Sequence, residues 1–245
     1  MKKKLVTGAL LCAFGAVAVT GGTLAYFTDT DAEDNVFTVG NVAIDLVENF
    51  DEENAKLIPA TGSAQAGTLQ NGIKKEVFVK NTGSEPAYVR THIAIPAVLD
   101  NGNPEFNAGK NALHFNYRPE SIGKDKWDWS KTAGAPYEGD WNYYEATIDG
   151  KAYNVYVVTH EGVLAGKVGD NVVSTVDAMH QVYLDSGVTN EQIAEIKKTL
   201  GDNWEIKVVA EGAQEAGFTN AYEALNTAFG VPGEYSPAAG WIVEQ

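Results

Sequence analysis

Alternation of apolar and polar side chains with a two-residue period dominates this chain, the pattern of half-buried β-strands. Phe37 and Val39 share one phase, and Val42, Ile44 and Leu46 the other. Gly40-Asn41 sits where the phase flips, which predicts a β-bulge or kink there. Residues 51–75 are polar and rich in Gly and Ala, a surface loop. Glu76 to Asn81 predicts a second strand, ended by Thr82-Gly83-Ser84-Glu85-Pro86. Tyr88 to Pro96 predicts a third, with Val89, Thr91, Ile93 and Ile95 on one face and Tyr88, Arg90 and His92 on the other. Residues 97–140 carry no readable period, although they include Trp127 and Trp129.

Asp149-Gly150 is a strong two-residue hairpin signal between Trp141–Ile148 and Lys151–Thr159. Pairing about that turn puts Ala146 opposite Tyr153 and Tyr144 opposite Val155. Further strands are expected within Val172–Leu184 and over Trp204–Ala210. Helices are few. Thr189 with Gln192 forms a capping box, Ile193, Ile196 and Leu200 a helical stripe, and Gly201 a stop. Thr219 to Phe229 predicts a second helix, with Tyr222, Leu225 and Phe229 on one stripe. The sum is an all-β fold with minor α content, an antiparallel β-sandwich with two short peripheral helices packed at its edge.

Charge narrows the partners. The 245 residues hold 18 Lys plus Arg against 33 Asp plus Glu, a net charge of −15. Such polarity argues against nucleic-acid binding, which needs basic side chains to neutralise phosphates, and against docking on an anionic membrane. At 44% apolar and 10% aromatic, the chain is rich in core-forming residues.

The N-terminus is tripartite. Lys2, Lys3 and Lys4 precede an apolar run from Leu5 to Val19, followed by Thr20-Gly21-Gly22-Thr23-Leu24-Ala25 with small residues at signal-peptidase positions. The run is short of the roughly 20 residues that span a bilayer, so residues 1–25 read as a signal peptide cut between Ala25 and Tyr26. The sole cysteine, Cys12, leaves with it, so the exported product has neither disulfide nor thiol metal site. Membrane association is expected only before cleavage. Ile58-Pro59-Ala60-Thr61-Gly62 looks like a cell-wall sorting pentapeptide but lacks the apolar and basic tail of such a signal, and reads as a loop.

Catalytic signals are weak. His160-Glu161 lacks the second histidine of a zinc-protease helix, since Leu164 stands there, and reads as strand-end surface. His92, His114 and His180 are scattered, with His92 expected on a sheet face. Asp29-Thr30-Asp31-Ala32-Glu33-Asp34 superficially resembles a calcium loop, but Asp34 and Gly40 stand where its glycine and glutamate belong. No cofactor is expected, and the chain reads as a non-enzyme. Trp127, Trp129, Trp141, Tyr143 and Tyr144 are candidates for a sugar-stacking platform or for core packing.

Gly21-Gly22-Thr23-Leu24-Ala25-Tyr26-Phe27-Thr28-Asp29 and Asn35-Val36-Phe37-Thr38-Val39-Gly40-Asn41-Val42-Ala43-Ile44-Asp45-Leu46 resemble the start of TasA/camelysin-type proteins. Lys80 to Arg90, Ala210 to Gln214, Gly217 to Ala221 and Ala228 to Gly230 resemble later blocks of that family. The resemblance implies export by a Gram-positive bacterium, processing by a SipW-type signal peptidase, and a jelly-roll sandwich that polymerises into extracellular biofilm-matrix filaments. It implies as partners further copies of this chain, as an open homopolymer, and related matrix subunits. Camelysin-type members are described as metallopeptidases, an activity for which this chain lacks a recognisable zinc motif.

The residues agree with assembly on physical grounds. After cleavage Tyr26-Phe27 becomes a free apolar end leading into a polar stretch. Such an end can add as a strand to an exposed sheet edge of another copy, a head-to-tail contact that grows an open filament. The donor residues are Tyr26, Phe27, Thr28, Val36, Phe37 and Val39 within an N-terminal segment 26–50, and 51–245 is the remainder of a single sandwich domain. The acceptor edge is sought near Glu76–Asn81. Alternatives are a fold-back of Tyr26–Leu46 as the protein's own edge strand, and a monomeric secreted adhesin or carbohydrate-binding module.

Overall fold

The computed structural model describes residues 28–30, 42–50, 56–63, 67–100, 111–116, 125–129, 143–201, 204–232 and 241. Two antiparallel sheets face each other. The chain runs β1 (Thr28–Thr30), β2 (Ile44–Phe50), β3 (Ile73–Asn81), β4 (Ala87–Pro96), β5 (Leu113–Asn116), β6 (Trp127–Asp128), β7 (Tyr143–Ile148), β8 (Lys151–Leu164), β9 (Val173–Ser174), β10 (Met179–Leu184), α1 (Asn190–Leu200), β11 (Lys207–Gln214) and α2 (Ala221–Phe229). One sheet has the order β1-β11-β4-β8-β6, with β7 also on β8; the other has β2-β3-β10-β5, with β9 on β3. Early strands pair with late ones in nested fashion, β1 with β11, β3 with β10 and β4 with β8, the wrapping of a jelly roll.

Local chemistry sets the joints. Asp149 and Gly150 have φ of 51° and 76°, the doubly left-handed turn whose twist suits a two-residue hairpin. The register places Ala146 against Tyr153 and Tyr144 against Val155, as the alternation predicts. The chain crosses between sheets at 82–86, where buried Asn81 donates to the carbonyls of Glu85 (2.8 Å) and Leu164 (3.1 Å) and accepts from the Gly83 N–H (3.0 Å). Thr189 caps α1 in a complete capping box with Gln192, and Gly201 ends it with φ of 83°.

The main core lies between the sheets. Val77, Val79, Met179 and Val182 face Val89, Ile93, Ile95, Tyr156, Val158, Val208 and Ala210, and Ile196 and Leu200 of α1 close one end. Trp127 and Trp129, from the stretch without readable period, are buried in this core. Trp127 Nε1 donates to the Val176 carbonyl (2.6 Å) and Trp129 Nε1 to that of Ala178 (3.2 Å), while Trp129 stacks on Phe115. The two most prominent rings of the sugar-platform candidate are therefore internal.

Several expectations shift. The second strand starts at Ile73 and the last strand at Lys207, with Trp204 packed against the core just before it. β8 continues to Leu164, so His160 lies inside a strand, 7% exposed and edge-on to Trp127, not at a surface strand end. Val172–Leu184 divides into β9 and β10. The second helix starts at Ala221 and not at Thr219, with Asn220 as its cap, and buries Ala221, Ala224 and Leu225 against Tyr88 and Ala213. It thus covers a sheet face and does not sit at an edge. Pro59 and Ala60 of the sorting-like pentapeptide dock on Leu184 through a bridge and a 3.0 Å backbone bond.

Candidate functional site

β11 is bonded along its whole length to β4 on one side, from Lys207 opposite Ala94 to Gln214 opposite Ala87. Among the described residues its other side receives β1 alone, with Thr28 opposite Ala213, Asp29 opposite Gly212 and Thr30 opposite Glu211. Among the described residues, Lys207–Ala210 have no strand on that outer side. The inner face at this edge is tight. A Cβ on Gly212 would come within 2.8 Å of Ile44 Cγ2, so only glycine lets the first residue of β2 pack there unchanged.

Beneath this edge the sheet face carries a buried polar clasp. Arg90 on β4 lies directly opposite Glu211 on β11, and its Nε donates to Glu211 Oε2 at 2.5 Å. The same guanidinium donates to Asn226 Oδ1 (2.9 Å) and to the Gly230 carbonyl (3.2 Å), so it holds the last turn of α2, where a cation also complements the helix dipole. His92 Nε2 donates to Glu211 Oε2 (3.1 Å) and its Nδ1 accepts the Tyr144 hydroxyl (3.1 Å), a tautomer assigned from the network. Arg90, His92 and Glu211 are all at most 1% exposed. Burial pushes the His92 pKa down, partly offset by Glu211, so the ring is neutral. Burial alone would raise Glu211, but the His92 hydrogen bond and the Arg90 guanidinium outweigh it and its pKa falls to about 2. Burial raises the Tyr144 hydroxyl, which keeps its proton. The clasp has no open face for a substrate; it fixes β11 and α2 to β4.

The other sheet carries a second polar group, and it is partly exposed. Glu76 of β3, Asp177 and His180 present ligand-type atoms that all lie within 4.8 Å of one another. His180 Nδ1 is 3.3 Å from Asp177 Oδ2 and 3.7 Å from Glu76 Oε1. Asn49 Nδ2 (3.1 Å) and Lys74 Nζ (2.8 Å) hold the other Glu76 oxygen, Oε2.

Of the expected donor residues, Thr28 lies in β1; Ala25, Tyr26, Phe27, Val36, Phe37 and Val39 lie outside the described residues, as do the phase flip at Gly40-Asn41, Trp141 and most of the calcium-like segment. The expected acceptor edge at Glu76–Asn81 is not an edge. β3 is flanked by β2 on one side and by β10 and β9 on the other. His92 sits on a sheet face as expected, but fully buried. Its pairing with Glu211, 119 residues away, leaves no local signal. Among the described residues no helix is long and apolar enough to cross a membrane.

Residues 1–71 match the family model described as camelysin metallo-endopeptidase, the family the sequence resembles. No curated protein and no solved structure matches the chain. That description implies a metal ion, yet the matched region contains no histidine and only one thiol, Cys12. The residues of the matched region do not fit a zinc-peptidase centre, whose ligands are typically imidazoles with a carboxylate.

Proposed function

We propose that this chain is a secreted structural subunit, or an accessory protein, of extracellular biofilm-matrix filaments, and not an enzyme. After a SipW-type peptidase cuts between Ala25 and Tyr26, the freed N-terminal segment of one copy adds as a strand to the next, and further copies or related matrix subunits extend the polymer.

One observation carries this reading: Thr28–Thr30, immediately after the expected cut, pairs as a strand on the outer side of β11. This contact agrees with the fold-back alternative within a single chain. The same ladder can form between two copies, because donor and acceptor residues are identical in both cases. Exchange then trades one set of backbone bonds for an equal set, the low-cost route by which a terminal strand links protomers. The acceptor is prepared for it, since the buried clasp and α2 hold β11 rigidly and backbone bonds supply affinity independent of side-chain identity. The net negative charge keeps free subunits apart until strands engage.

The test compares residues 26–245 with a version starting at Val36, by electron microscopy and size-exclusion chromatography. Filaments or concentration-dependent oligomers from the longer form, lost in the shorter, are expected. Monomers from both across pH and concentration would refute the proposal and direct attention to glycan binding.

A further inference from the structure

The Glu76–Asp177–His180 group lies on the sheet opposite the assembly edge, outside the matched residues 1–71, and plays no part in the proposed strand exchange. We infer that these three side chains form a binding site for one divalent transition-metal ion, with zinc as the typical occupant, that pins the 175–180 segment to β3.

The spacing is that of a ligand set. Donors about 2.1 Å from a tetrahedral centre stand about 3.4 Å apart, and His180 Nδ1 is 3.3 Å and 3.7 Å from its two carboxylate neighbours. One imidazole with two carboxylates favours zinc-like ions over magnesium or calcium, which prefer oxygen donors alone. Three protein ligands leave a fourth position for water.

The positions of the ligands are set by the fold. The β3–β10 register shifts here: Val77 faces Met179 and Lys74 faces Gln181, so Lys75 and Glu76 together oppose His180. Such a bulge re-aims side chains out of strict alternation. Asp177 sits on a strap fastened from both sides. The Thr175 and Ala178 N–H groups donate to the Val79 (2.8 Å) and Val77 (2.7 Å) carbonyls. Trp127 and Trp129 hold the carbonyls of Val176 and Ala178, the two residues flanking Asp177. Asn49 and Lys74 hold Glu76 Oε2, and Oε1 is the oxygen 3.7 Å from His180, so Glu76 has the outer-sphere support that ligating carboxylates usually have. Glu76 and Asp177 side chains are 10% and 15% exposed and His180 30%, so the group is sheltered yet open to an ion from solvent.

The experiment uses the full chain, stripped by chelator and titrated with zinc chloride by calorimetry and by thermal melting. Saturable binding of one ion per chain is expected, with a rise in Tm that magnesium and calcium do not reproduce. Cobalt(II) should give the intense visible absorption of a four-coordinate site. His180→Ala and Asp177→Asn, both at partly exposed positions, should each weaken zinc binding at least about tenfold, while His114→Ala leaves it unchanged. The competing arrangement is a plain polar contact of the His180 ring with the two carboxylates. It requires no metal, so a wild-type chain that fails to bind zinc, or a His180→Ala chain that binds it equally well, overturns the inference. Neither outcome touches filament formation.

Discussion

The two sheets use the same side-chain chemistry to opposite effect. On one, Arg90, Glu211, His92 and Tyr144 form a connected network that α2 joins through Arg90, with the three charged or titratable groups of β4 and β11 removed from water. On the other, Glu76 is nearly buried, Asp177 and His180 are partly exposed and Lys74 is 63% exposed, and among the described residues no helix packs over them. Cover converts carboxylate and imidazole into a fixed clasp; the partly exposed Asp177 and His180 keep theirs in contact with solvent. The lesson is that function-like residue types report function only once their burial is known.

The comparison is broken most severely by removing Glu211. Glu211→Ala strands a buried guanidinium and its helix contacts, and should destabilise the fold by about 3–5 kcal/mol in urea denaturation, whereas Glu76→Gln in metal-free protein keeps the side chain's shape and leaves behind a Lys74 that is 63% exposed and hydrated, and should cost about 1 kcal/mol or less. If the two losses are equal, burial is not the distinguishing variable.

Acidification should act on the covered face next. His92 has its pKa lowered by burial, so the unfolded chain takes up a proton near 6.5 that the fold refuses, and stability falls as pH drops below that value. Glu211 adds a second loss between 4.5 and about 2, worth about 3 kcal/mol when complete. Urea midpoints measured against pH check both. His92→Gln should flatten the upper limb and shrink the lower one, since His92 is among the groups that hold Glu211 down.

Gly212→Ala sharpens the comparison at the β11 edge, where the new methyl would meet Ile44. A cost of about 1–3 kcal/mol is expected, read as a lower Tm together with weaker oligomerisation of the 26–245 form. The smallest effect belongs to Lys74→Gln. The pair with Glu76, exposed on its Lys74 side, contributes about 0–1 kcal/mol, so thermal melting of the metal-free protein should barely move while zinc binding weakens as Glu76 loses part of its outer-sphere support.

Local signals were read well where the physics is local. Asp149-Gly150 demands left-handed backbone and alternation on both arms fixes register, so the β7–β8 pairing follows residue for residue. The Thr189–Gln192 box marks the start of α1 because capping is satisfied within one turn. What stayed hidden depends on pairing across the fold. Trp127 enters the core from a two-residue strand too short to show a period. Arg90 and Glu211 become neighbours only when β4 meets β11, and Glu76 meets His180 only across a bulge. The jelly-roll sandwich and the camelysin resemblance were both legible; the interior position of β3, which removes it as an acceptor edge, was not.

The contact between Thr28–Thr30 and Glu211–Ala213 has a mechanical corollary. In an antiparallel ladder the bonds lie perpendicular to the strands, so a pull along the strand axis loads them side by side in shear, instead of one after another as in peeling. β11 transmits that load into β4 through its full ladder and into α2 through Arg90. A thread built on this joint would resist stretching far better than lateral prying, and would fail first where a strand is lifted from its end.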